Sequence, residues 1–259
     1  MKIGGIGLLT GWGEGVSALP GDARAAAGAR EVIELPTPSR PAERLRRATR
    51  ECLLGIEAVE ALRRDTGLGR ETLAGPRTAL VYATAAAYGP SNRLFVDAEA
   101  GRALHFPYTA PSAVPAEVSI EFGVTGPYVI FVGGASATLD ALWYAARLLQ
   151  QDACDRALVL AVEVFAGCAD LWARARWLRG GPLAEAAACA LLVPGGGAAA
   201  IIAAGTASPW EEAARRRAGE VLACGPLIAL ALARAAGRDP RAVTGLWRGR
   251  RSQLVFADD

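Results

Sequence analysis

The chain has 259 residues, enough for a full hydrophobic core and for one domain or two. Residues of the apolar set make up 52% and charged residues 21%, which excludes a disordered, collagen-like or coiled-coil chain. Lysine and arginine number 28 against 26 aspartates and glutamates, and a formal charge of +2 is too balanced for a dedicated binder of nucleic acid or anionic membrane.

Residues 2–9 are apolar and glycine-bounded and predict a first strand, followed by a long Gly/Ala/Pro loop to about residue 37. From Pro41 to Arg64 the apolar Leu45, Ala48, Cys52, Ile56 and Val59 recur at spacings of three and four between charged residues, an amphipathic helix. Thr78-Ala-Leu-Val-Tyr-Ala83 is a nearly continuous apolar run, the pattern of a strand covered on both faces. Strand patterns follow at 128–132, 157–164, 187–193 and 199–204, with a helix at 135–151. Helical periodicity over 211–236 is split at Gly225-Pro226, and Gln253–Ala257 reads as a closing strand. Helices alternating with strands buried on both faces predict an α/β protein with a parallel or mixed sheet. No Ser- or Pro-rich linker divides the chain, so a single domain is expected, with its seam at Gly195–Gly197.

Five widely spaced cysteines (Cys52, Cys154, Cys168, Cys189, Cys224) without a CxxC pair predict buried free thiols in a reducing compartment, here the cytoplasm. The amino terminus lacks the long apolar core of a secretory signal, and no apolar window is long enough for a membrane span. No cluster of His, Cys and carboxylate has metal-ligand spacing.

Three features could carry chemistry. Tyr128-Val-Ile-Phe-Val-Gly-Gly-Ala-Ser-Ala-Thr138 reads as strand, tight turn and helix start, a place where nucleophiles are displayed against unpaired N–H groups. Its Gly134-Ala-Ser136-Ala falls short of the G-x-S-x-G elbow, and the single histidine, His105, precedes the serine. A Ser136-dependent acyl transferase or hydrolase is therefore an alternative, with Ser136 as a helix cap the plainer reading. His105 itself sits in a proline-punctuated segment, where a structural role is the default. The glycines Gly5, Gly7, Gly11, Gly13 and Gly15 do not complete a dinucleotide fingerprint and read as turn residues. Arginine clusters (Arg44/Arg46/Arg47/Arg50, Arg174/Arg176/Arg179, Arg215/Arg216/Arg217) fit solvated helix faces or a docking patch for an acidic carrier protein, and Trp143, Trp172, Trp177 and Trp210 fit packing.

The order of these motifs resembles a β-ketoacyl synthase of the thiolase superfamily. Ile3-Gly-Gly-Ile-Gly-Leu-Leu-Thr10 is similar to that family's first strand and glycine turn, and the arginine-bearing helix of Leu45 to Leu62 to its first long helix. Phe106–Pro115 resembles the loop ahead of the next helix, and Gly126-Pro127 precedes the elbow strand. Asp155–Glu163 and Gly181–Leu192 resemble the strands that follow. Leu222–Ala233 resembles the buried helix of the second half, and Gly245–Phe256 its glycine turn and closing strand. The resemblance implies a thiolase-like fold with layered helices and mixed sheets. Residues 1–195 would match the amino-terminal half, and 196–259 an abridged remnant of the second.

The departures from that pattern matter as much. Where the family reads Thr-Ala-Cys-x-Ser-Gly, this chain reads Val132-Gly-Gly134-Ala-Ser-Ala137, so Gly134 stands in place of the nucleophilic cysteine. Glycine offers no nucleophile, and no histidine follows residue 105 to serve as either family histidine. The resemblance thus implies a non-catalytic subunit of the chain-length-factor type, most like the compact ketosynthase partners of aryl polyene pathways. It would hold no cofactor of its own and would pair with an active ketosynthase served by a phosphopantetheinylated acyl carrier protein. Tyr128, Val129, Ile130, Phe131 and Val132 would pair with the partner's equivalent strand, and Phe106, Tyr108 and Thr109 would line its acyl tunnel. A homodimeric scaffold is a further alternative.

Overall fold

The computed structural model describes residues 2–39, 42–97, 103–173, 181–195, 199–240 and 242–256. In chain order these form β1 (Lys2–Thr10), β2 (Gly13–Glu14), α1 (Ala23–Ala27), β3 (Val32–Ile33), α2 (Arg50–Thr66), α3 (Arg70–Leu73), β4 (Thr78–Thr84), α4 (Gly89–Val96), α5 (Ala113–Phe122) and β5 (Tyr128–Val132). They continue as α6 (Ala135–Gln150), β6 (Arg156–Glu163), α7 (Ala169–Ala173), β7 (Leu183–Ala184), β8 (Ala186–Val193), β9 (Ala199–Ala203), α8 (Pro209–Ala218), α9 (Gly225–Ala235), β10 (Ala242–Trp247) and β11 (Arg250–Phe256).

A six-stranded mixed sheet runs in the order β2-β1-β8-β6-β4-β5. Strand β4 is parallel to β5 and β6, while β8 is antiparallel to β6 and β1. Alternation along β4 sorts the side chains: Ala79, Val81 and Ala83 enter the core shared with α6 and α9, and Leu80 and Tyr82 enter the core shared with α2 and α5. A second, antiparallel sheet in the order β10-β11-β9 packs on α6 from the other side. The result is helices, sheet, helices, sheet, with α6 sandwiched between the two sheets. That layering accounts for the apolar runs of β4, β6 and β8, which have helices on both faces.

The helix expected from Pro41 begins at Arg50, because Glu43–Leu45 forms a separate 3-10 turn and Thr49 is extended. The carboxyl-terminal helical stretch breaks ahead of Gly225-Pro226. Gly219 and Leu222 both take positive φ (91° and 44°), and Pro226 lies in the first turn of α9, where a missing N–H is tolerated. The strand expected from Gln253 begins at Arg250 and pairs with β10 through a two-residue turn, Arg248-Gly249, with positive φ at both positions (50° and 78°). The segment expected as loop ahead of Pro115 instead contains a 3-10 helix, Ala103–Thr109, and the first turn of α5.

The first-strand glycines serve packing. A Cβ on Gly7 would lie 2.2 Å from the Leu62 nitrogen and 2.4 Å from the Ala58 oxygen, so glycine is what allows α2 to lie against β1.

Candidate functional site

The parallel strands β4, β5 and β6 all end at one edge of the large sheet, where open α/β sheets place their ligands. Strand β5 runs there into Gly133 and Gly134, and α6 starts at Ala135, giving the strand, turn and helix expected from the sequence. Gly134 is the residue preceding the helix, and no side chain caps α6. Ser136 is thus the second helical residue rather than the cap, because the chain already turns at the two glycines.

The space above Gly134 is filled. A Cβ built there would lie 2.0 Å from Cε3 and 2.5 Å from Cζ3 of Trp247, the last residue of β10. The Arg248-Gly249 hairpin turn presents this indole, and the Arg248 guanidinium lies 5.6 Å from the ring centroid. Close packing of β10 on α6 holds the arrangement: a Cβ on Gly245 would come within 2.8 Å of Ala135 Cβ. Thr138 Oγ1 also donates a hydrogen bond to the Ala223 carbonyl, tying α6 to the segment ahead of α9. At the turn between β5 and α6, this protein places a bare backbone beneath an aromatic ring.

His105 lies elsewhere. It is exposed and lines a cleft on the α2 side of the sheet, and among the described residues no hydrogen bond joins it to Ser136. Tyr108 lines the same cleft and its hydroxyl donates to Glu117 (3.2 Å). Thr109 Oγ1 donates to the Phe106 carbonyl (2.7 Å), and Phe106 is 62% exposed with its ring 5.6 Å from that of Phe95. Tyr128, Val129, Ile130, Phe131 and Val132 form the outermost strand of the large sheet, with Val132 59% exposed. Trp172 packs edge-on against Phe165, and Trp210 packs at the margin of the α6/α9 core. Trp177 and the Arg174/Arg176/Arg179 cluster lie outside the described residues. Arg44 bridges Glu117 and Glu121, and Arg217 donates to the carbonyls of Val16, Leu19 and Pro20.

Two buried carboxylates brace the carboxyl ends of the strands. Glu185 accepts from the N–H groups of Phe165 (2.7 Å), Ala166 (2.8 Å) and Leu35 (2.8 Å), and both terminal nitrogens of Arg50 reach it. Burial pushes its carboxyl up, but the Arg50 guanidinium and these N–H donors outweigh burial and hold it below the ordinary glutamate range. Glu163 accepts from the N–H groups of Ala85, Ala86 and Ala223, joining the turn after β4 to the segment before α9. Among the described residues no cation pairs with it, and burial pushes it up to about 8 against these donors.

A raised folded-state value means that the native protein holds a proton the unfolded chain releases. The stability that Glu163 contributes is therefore fully present below the ordinary glutamate range and is lost as pH rises from about 4.5 to about 8. The Glu163 contribution to that slope is at most about 1.4 kcal/mol per pH unit. Urea unfolding across this window should show the decline in the native protein and a flatter profile in Glu163→Gln; identical profiles would remove Glu163 as its source.

All five cysteines are buried free thiols, and burial pushes Cys52 up to about 12 and Cys168 up to about 11, values that keep both protonated and inert. Among the described residues no group of three His, Cys, Asp or Glu is placed to hold a metal ion, and no helix is long and apolar enough to cross a membrane.

Sequence reasoning missed Trp247, Glu163 and the Arg50–Glu185 pair. The last two left a trace in the sequence, since an acid inside an apolar run calls for a buried partner. Trp247 left none, because its role depends on where a distant hairpin lands.

The model for the amino-terminal domain of β-ketoacyl synthases matches residues 36–179, more than half of the chain. No curated protein matches the sequence. Similar solved structures include the ishigamide ketosynthase/chain length factor, at 16% identity and a TM-score of 0.71, covering 99% of this chain and 98% of that one. A β-ketoacyl synthase from Burkholderia phymatum STM815 is 13% identical with a TM-score of 0.72, covering 99% of this chain and 98% of that one. The ketosynthase ApeO in complex with its chain length factor ApeC from Xenorhabdus doucetiae gives 12% identity and a TM-score of 0.64, with 98% of each chain covered. The layered architecture is that of the ketosynthases, and the chain belongs to the β-ketoacyl synthase family through its amino-terminal domain.

Proposed function

We propose that this protein is a non-catalytic, ketosynthase-like subunit of the chain-length-factor type, which pairs with an active ketosynthase and shapes its acyl tunnel. The observation that carries the reading is the elbow: Gly134 supplies no nucleophile, and Trp247 fills the space a side chain would need. Type II polyketide or aryl polyene synthesis is the setting suggested by the solved structures it resembles, and the acyl carrier protein would serve the partner.

The large sheet supports pairing at one particular edge. On β1 the Ile6 N–H donates to Asp65 (3.0 Å), the Leu8 carbonyl accepts from the Gly15 N–H (2.8 Å), and the Ile3 carbonyl accepts from Arg234 (2.7 Å). That edge is blunted by its own chain, as solvent-facing edges commonly are. On β5, Pro127 O and Gly133 N bond to β4, so the alternation of a parallel ladder turns the N–H and C=O groups of Tyr128, Ile130 and Val132 outward. Among the described residues no strand covers them.

Native mass spectrometry of the chain co-expressed with a ketosynthase encoded beside it in the source genome should give a one-to-one complex, with extension activity that neither chain shows alone. A chain that stays single or pairs only with itself would sink the reading in favour of a scaffold. Ile130→Pro removes an outward donor while sparing the bonds to β4, and should reduce complex formation at least tenfold at unchanged circular dichroism; an intact complex would move the interface elsewhere. Phe106→Ala should lengthen the product by relieving bulk on the tunnel wall, and unchanged lengths from an intact complex would take Phe106 off that wall.

A further inference from the structure

A cleft of about 280 Å³ opens between the start of α1 and the end of α8. Arg24 lines it from α1, Arg215 and Arg216 line it from the last turn of α8, and Gly181, Gly219 and Glu220 lie beside them. None of its described lining residues comes from β5, α6 or β10, so the cleft is separate from the elbow that Trp247 closes. Its walls are fixed from several directions. Arg217 commits its guanidinium to the carbonyls of Val16, Leu19 and Pro20, which ties the end of α8 to the segment leading into α1. Trp12 Nε1 donates to the Ala218 carbonyl (2.9 Å), and the Glu220 N–H donates to the Pro182 carbonyl (2.9 Å). Gly219 takes a φ of 91°, and a Cβ there would lie 2.6 Å from the Pro182 oxygen, so glycine lets this turn close on Pro182.

Arg24, Arg215 and Arg216 are exposed, and none of their guanidiniums has a hydrogen-bond or ion-pair partner among the described residues. Two acids share the lining. Asp22 is turned toward α1, where it accepts the Ala25 N–H (2.9 Å). Glu220 is half-buried, and burial pushes its carboxyl up against the field of Arg215 and the Leu222 N–H. Neither carboxylate is bonded to one of the three guanidiniums, so their planar forks stay open to an anion. A phosphoryl dianion offers three oxygens that accept from several forks at once, where a carboxylate offers two. The volume leaves room for a short organic remainder only, since pockets for drug-sized ligands begin at roughly 300 Å³.

We infer that this cleft binds a small free phosphate monoester, with the phosphoryl group held between Arg24, Arg215 and Arg216. The site stands on this chain's own residues and holds whether or not the chain pairs with a ketosynthase. Isothermal titration calorimetry on the full chain would compare three probes with bodies of the same length: glycerol 3-phosphate, lactate and glycerol. Glycerol 3-phosphate should bind with one-to-one stoichiometry, lactate more weakly, and glycerol not at all. Arg24→Ala and Arg215→Ala should each weaken glycerol 3-phosphate about tenfold or more, as loss of a charge-assisted contact requires. Both side chains are exposed, so unchanged melting temperatures should accompany the loss. Glu220→Gln should tighten binding instead, because it removes the negative charge that acts on Arg215, and a mere disturbance of the fold would not have that sign. Arg238→Ala, an exposed change beyond α9, serves as the control and should leave binding as it was. No glycerol 3-phosphate binding, lactate binding of equal strength, indifference to either arginine variant, or weaker binding by Glu220→Gln would each overturn the inference.

Discussion

Arg50→Ala is expected to lower the melting temperature by about 10 °C, because it removes the cation from a carboxylate that has no access to water. Glu185 is fully buried, and in the native protein Arg50 approaches it with two nitrogens while also donating to the Leu35 carbonyl. Breaking one side of a buried pair typically costs about 3–5 kcal/mol, since the remaining charge stays desolvated. For a domain of this size each kcal/mol moves the melting temperature by roughly 2–4 °C. The pH dependence provides a second signature. The native Glu185 carboxyl is held low, so its stabilisation is present at neutral pH and lost as pH falls through the folded-state value. Without Arg50 burial is opposed only by the N–H donors, the carboxyl rises, and the penalty grows with pH instead. Arg50→Ala should therefore lose less stability at pH 5 than at pH 8, and Arg50→Ala/Glu185→Gln should recover part of the loss. A variant that melts within about 2 °C of the native protein at pH 8 would mean that the three N–H donors suffice for the carboxylate.

Arg50 and Glu185 show where sequence reading stops. The strands of Thr78–Thr84, Tyr128–Val132 and Arg156–Glu163, and the helix from Ala135, are written in runs of apolar residues whose period and length survive without any tertiary information. The same runs predict the layering, since strands apolar on both faces need helices on both sides. What pairs Arg50 with a glutamate 135 positions away is the packing of α2 across the sheet, which no local pattern encodes. The start of α2 differs from the expected one for a related reason: the apolar spacing continues through Leu45 and Ala48, yet Thr49 leaves the helical region and Leu45 is buried from a separate turn. The elbow is legible as strand, glycines and helix, and the bare backbone at Gly134 can be read directly. Its closure cannot, because the indole arrives from a hairpin far along the chain. The bare edge of β5 is legible only as an apolar run; its contrast with the blunted edge of β1 requires the hydrogen bonds of both.

Gly134→Cys places a thiol at the turn between β5 and α6 and, on the reading proposed above, is expected to yield a destabilised protein without condensing activity. The new Cβ would fall 2.0 Å from a Trp247 ring atom, inside any possible contact distance, so either the indole or the start of α6 must move. Overpacking of this kind costs about 1–3 kcal/mol, a fall of roughly 5 °C in melting temperature. Trp247→Ala alone also destabilises by removing an aromatic packed against the elbow. The two substitutions should be strongly non-additive, because the alanine clears the space the cysteine needs: the double variant should be more stable than the sum of the single losses predicts. Thiol accessibility supplies an independent reading. With the ring removed, the thiol introduced by Gly134→Cys should react with iodoacetamide, while the five native thiols remain buried and protonated. Decarboxylation and condensation should stay absent even then, since no histidine after residue 105 can support the developing negative charge. If Gly134→Cys instead melts with the native protein and alkylates readily, the indole does not occupy the elbow in solution and the closure argued from its position fails. If the double variant condenses acyl thioesters, the chain retains a catalytic apparatus that the proposed partner role denies it.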